Sequence, residues 1–218
     1  MELPIDKIAA NVARVVRADT SPAMDVEIEA MIDLCEHAMP HDDWASIRRI
    51  DFSAGLPKLK SWCQRTLSDD PPKEPIRGMY FSLCHPCDER RDHVYLDLEM
   101  VGTSSYSRQD TKLEWLFSRN YFPREYAKSR ELDELYGIAH RSHSLDTQVQ
   151  GALTDAEYPI GLLFSVIATR LIFDEKKVPD LPTDSKAVGI VAGWGDGDLV
   201  RIGEVTNLGF EPNQGEVW

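Results

Sequence analysis

The sequence predicts an α+β fold in which an antiparallel sheet of about five strands is covered by helices. Three observations predict it. Apolar residues recur at helical spacing through the opening third, from Ile5 to Leu67. The segment His93 to Val101 alternates apolar and polar residues with period two. Near the end, two apolar runs flank Gly195-Asp196-Gly197-Asp198, where Asp-Gly suits a tight hairpin turn.

Taken in order, the first helix carries Ile5, Ile8, Ala9, Val12, Val15 and Val16 on one side, with Lys7, Asn11, Arg14 and Arg17 opposite. Ser21 and Pro22 have the chemistry of a cap and a first helical position. They predict a second helix that buries Ile28, Met31, Ile32 and Cys35 and stops near Pro40. A short strand is expected over Ile47 to Phe52, then a helix carrying Leu56, Leu59, Trp62, Cys63 and Leu67. The run Ser68 to Pro75 is a loop.

Ile76 to Cys84 and His93 to Val101 read as a hairpin joined through Pro86 to Asp92. Its second strand turns Val94, Leu96, Leu98 and Met100 one way and Tyr95, Asp97 and Glu99 the other, so one face is expected to be buried and one wet. Leu113 to Phe117 is helical or irregular, and Arg130 to His140 is helical. Thr154 to Glu157 forms a capping box, with Pro159 just inside the first turn. The helix it opens is apolar nearly all round to Phe173, which places it mid-core. The organisation expected is one domain over residues 1–218. A helical region spans 1–70, a hairpin 76–101, a central helical region 111–173 and a C-terminal hairpin 187–206.

Charge bounds the function. Asp and Glu number 37 against 24 Lys and Arg, a net charge of −13. Such a surface repels phosphate backbones and anionic lipid, so neither nucleic acid nor membrane is expected as a partner. No basic and apolar leader stands at Met1, and four Cys are too few for a disulfide scaffold, which together predict a cytoplasmic protein.

Cys84-His85-Pro86-Cys87 is the sharpest local motif. Cys84, Cys87 and His93 have zinc-ligand chemistry, but no second ligand pair accompanies them, and half-buried thiols explain them better. A redox role fits poorly, because Asp88, Glu89 and Asp92 would raise the thiol pKa. Asp196 and Asp198 lack the further ligands of a calcium loop. There is no Gly-x-Ser-x-Gly elbow and no phosphate-binding Gly loop. No cofactor is expected.

These features favour a binding protein over an enzyme. The expectation is an acidic inhibitor of the immunity or antitoxin kind that neutralises a basic partner protein, because opposed charge speeds and orients encounter. The partner surface is expected on Asp97, Glu99, Trp194, Asp196 and Asp198, with the indole and carboxylates anchoring Lys or Arg. The alternative is a small hydrolase or zinc-dependent enzyme without a recognisable motif.

Overall fold

The computed structural model describes residues 3–84, 96–140, 154–174, 181, 183–195 and 197–217. Helices α1 (Ile5–Arg17), α2 (Met24–Ala38), α3 (Trp44–Ile47) and α4 (Leu56–Asp69) open the chain. Strands β1 (Gly78–Cys84) and β2 (Asp97–Thr103) follow, then a 3-10 turn (Glu114–Phe117), β3 (Arg119–Tyr121) and β4 (Ala127–Lys128). Helices α5 (Arg130–Ala139) and α6 (Thr154–Asp174) lead to β5 (Ala187–Trp194), β6 (Leu199–Thr206) and β7 (Gly209–Pro212).

The architecture is α+β, as expected, with a seven-stranded sheet in the order β3-β2-β1-β5-β6-β7, β4 also pairing with β2. Both expected hairpins form, β1 with β2 and β5 with β6, antiparallel throughout. The sheet itself is mixed, because β5 runs parallel to β1, from Gly78 beside Gly189 to Leu83 beside Trp194. A parallel neighbour needs a crossover connection. Here α6 lies in that connection and packs on β1, β5, β6 and β7. The strands outside the two hairpins are short: β3, β4 and β7 hold three, two and four residues.

Helix α6 explains how the helical layer is built. It touches the sheet on one side and α1, α2, α4 and α5 on others, so its near-continuous apolar surface is satisfied all round. Phe164, Val166, Ile167, Ala168 and Phe173 are fully buried, and Phe173 meets Phe81 edge-on at 5.7 Å between ring centroids. Arg170 is equally buried. It donates to the carbonyls of Val15 (2.6 Å) and Val16 (3.1 Å), and also to those of Ala18 and Thr20. These oxygens at and beyond the C-terminus of α1 lie where the helix dipole favours a cation.

The second face of the sheet is not wet. Residues 104–118 fold over it, and Trp115 and Leu116 join Tyr80, Val101 and Val191 in a second, smaller apolar cluster. Tyr106 packs against Gly189, where an added Cβ would stand 2.1 Å from its ring. Trp115 then meets Tyr106 edge-on at 5.1 Å. The tyrosine hydroxyl and the Arg108 guanidinium bind Glu204, with Arg108 Nε at 2.6 Å, while Arg201 donates to the carbonyls of Arg108 and Asp110.

Three local expectations differ from the structure. Residues 47–52 form the end of α3 and turns rather than a strand. Helix α2 starts at Met24 with Ala23 at its N-cap, so Ser21 does not cap it. Helix α6 begins at Thr154, which places Pro159 in its second turn.

Candidate functional site

Of the five residues expected to form a partner surface, Asp97 and Glu99 lie on one face of the sheet and Trp194 on the other. Asp97 is 1% exposed, and its carbonyl accepts from the Cys84 thiol at 3.7 Å. Glu99, half-buried, accepts a hydrogen bond from the fully buried Ser82 hydroxyl at 2.5 Å. Trp194 points to the opposite, helical face. There it is 8% exposed, stacks on Tyr158 at 5.7 Å and donates its indole N–H to the Tyr158 carbonyl at 3.3 Å. Asp198 is exposed and accepts from the Tyr158 hydroxyl, and Asp196 lies outside the described residues.

The expected outward side of Trp194 is therefore corrected. Successive strand residues alternate sides, and the parallel register aligns Trp194 with Leu83, whose side chain is core. Asp97 and Glu99 are likewise not on a solvated face. They stand opposite Cys84 and Ser82 on the side where Tyr80 and Val101 are covered by Trp115.

Of the three residues with zinc-ligand chemistry, only Cys84 is described; Cys87 and His93 lie outside the described residues. Burial pushes the Cys84 thiol up to about 12, with Glu99 and Asp97 adding to the effect. Burial does the same at Cys35 and Cys63. None of these three thiols is a ready nucleophile at neutral pH. Among the described residues no group of three His, Cys, Asp or Glu is placed to hold a metal ion. His140 donates or accepts at 2.6 Å from Glu157 and stacks on Tyr136 at 4.0 Å, while burial lowers its pKa from 6.5.

An exposed charged surface lies elsewhere, on α2. Met24, Ile28, Met31, Ile32 and Cys35 bury one stripe of that helix. Helical geometry then sends Asp25, Glu29, Asp33 and Glu36, spaced by four, four and three, to the outer side. Glu29, Asp33 and Glu36 converge on one guanidinium, that of Arg48 just past α3. Its Nη2 lies 2.7 Å from Asp33 Oδ1 and 2.6 Å from Glu36 Oε2, and its Nη1 binds Glu29. One cation among three carboxylates leaves the stripe negative.

Beside it, a groove of about 350 Å³ runs between α2 and residues 47–53. Ile28, Ile32 and Phe52, all buried, floor it, and its charged lining is the acids Asp25, Glu29 and Asp51 with the arginines Arg48 and Arg49. An apolar floor with acids in excess over bases at its rim suits the long stem and charged head of Lys or Arg. The sequence contained a signal for this surface: seven acids and no Lys or Arg between residues 24 and 47. Read as helix-start chemistry alone, Asp25 and Glu27 did not reveal it.

Among the described residues no helix is long and apolar enough to cross a membrane. The chain matches no protein-family model, no curated protein and no solved structure.

Proposed function

We propose that this protein binds a basic partner protein through the outer face of α2, as an inhibitor of the immunity or antitoxin kind would. The observation that carries the reading is the grip of Glu29, Asp33 and Glu36 on Arg48, beside a groove with an apolar floor. The chain's own Arg48 is an example of how these carboxylates hold a guanidinium. The net charge of −13 supports the same reading, because a field of one sign steers an oppositely charged protein into encounter. The carboxylates first expected to serve, Asp97 and Glu99, are buried or half-buried, whereas Asp33 is 67% exposed at its side chain.

The test is native mass spectrometry of the protein purified at low salt from its own cells, alongside the variant Asp25→Lys/Asp33→Lys. A stoichiometric basic protein is expected on the parent and is expected to dissociate as salt rises. The variant should bind that partner at least about tenfold more weakly, or about 1.4 kcal/mol. A parent that carries no protein, or a variant that binds its partner undiminished, sinks the reading.

A further inference from the structure

The edge of the sheet at β3 has a different character from the rest of the surface. β3 is the last strand of the sheet path, and both β3 and β4 pair with β2. No other described strand lies along their outer side. An edge of this kind presents backbone N–H and C=O groups that a further strand can meet.

Charge reverses along this edge. Between Phe117 and Arg130 stand Arg119, Arg124, Lys128 and Arg130 against the single acid Glu125, in a chain whose net charge is −13. Glu125 is drawn toward Arg65 at 3.6 Å. Arg119 sits 5.3 Å from the Tyr80 ring centroid. Arg124 and Lys128 are exposed and have no ion-pair partner among the described residues. Two large aromatic side chains bracket β3 in sequence and face solvent, Phe117 at 82% exposure and Phe122 at 59%. A scattered exposed Phe is ordinary. Two beside one open strand, within a basic segment of an acidic protein, form a surface of defined chemistry.

We propose that the outer edge of β3 docks an extended acidic segment of a partner protein, which adds to the sheet as a further strand. Main-chain hydrogen bonds to β3 supply affinity, and side chains on alternate sides of the added strand supply specificity. Its carboxylates meet Arg124 and Lys128, and its apolar residues cover Phe117 and Phe122. Pro123 follows β3 closely and limits the pairing to a few residues, so binding is modest.

The same basic residues oppose pairing with the identical edge of a second copy, because like charges face each other across the join. A single nucleic-acid strand would also meet cations and aromatic rings. Against it stands a strand edge whose hydrogen-bonding pattern matches a peptide backbone. This surface is separate in charge and position from the acidic face of α2.

The experiment titrates the full chain into three fluorescent probes: a short peptide alternating Glu and Val, its Lys and Val counterpart, and a short oligothymidylate. The Glu peptide is expected to bind with Kd of order 10 μM and to slow amide hydrogen exchange across residues 119–122. Arg124→Glu/Lys128→Glu and, separately, the exposed-surface change Phe122→Ser should each weaken it, the first by about tenfold. The α2 variant Asp25→Lys/Asp33→Lys should leave it unchanged. Absence of saturable Glu-peptide binding overturns the proposal. So does binding that survives both edge variants, exchange protection confined to another segment, or tighter binding of the oligothymidylate.

Discussion

Arg170 shows what one residue can settle. Its guanidinium is fully buried in a mainly apolar helix, and the carbonyls of residues 15, 16, 18 and 20 accept its hydrogen bonds. A charge removed from water at such a site is costly unless its donors are paired, and four carbonyls accept from its Nη1 and Nη2. It also fixes where α1 ends against α6. Arg170→Met should retain the stem but orphan those oxygens, lowering stability by about 3 kcal/mol as read by urea denaturation. A loss under about 0.5 kcal/mol would mean that water reaches these carbonyls and the arginine is dispensable. The arginine is visible in the sequence as the end of an apolar run, but its partners lie some 150 residues away. Nothing local announces them.

At the scale of elements, the decisive feature is the segment 104–118 that closes over the second face of the sheet. It is held where Tyr106 and Arg108 reach Glu204 on β6. Burial opposes ionisation of Glu204, but hydrogen bonds from Arg108 and Tyr106 and the nearby charges of Arg108 and Arg201 outweigh it, keeping its pKa below the ordinary 4.5. A carboxyl depressed in the folded state contributes stability that is full above the unfolded pKa and is lost as pH falls through the folded one. Glu204→Gln should therefore flatten the decline in stability below about pH 4.5, as measured by urea midpoints across the acid range. Parallel declines in parent and variant would show that Glu204 is not the titrating group.

Helices α1, α2, α4, α5 and α6 and both hairpins were legible from local signals: α1 from its period, α6 from its long apolar run, the C-terminal hairpin from its Asp-Gly turn, whereas α3 was not. The cover was not. Residues 104–118 have no such period, and Tyr106 meets Gly189 only after the chain has returned as β5. That is why alternation in β2, correctly read as two-sided, did not predict that its second side is also closed.

For the molecule as a whole, charge is the governing property. A net −13 spread over 218 residues leaves self-repulsion in the folded state that salt screens. Raising sodium chloride from about 0.02 M to about 0.15 M should raise Tm by about 2 °C or more in the isolated protein. An unchanged or falling Tm would mean that internal pairs such as those on Arg48 already compensate the repulsion. The sequence by itself determined this charge, the α+β class, the helix that fills the core and the pairing within each hairpin. All of these depend on composition or on residues near one another in the chain. The tertiary structure decided the parallel join of β1 and β5, the inward turn of Trp194, the burial of Asp97, and the meeting of α2's carboxylates with Arg48. These depend on how α6 returns the chain across the sheet and on how distant segments pack. A period of two or 3.6 residues specifies which face of an element is apolar, but not which neighbour will cover the other.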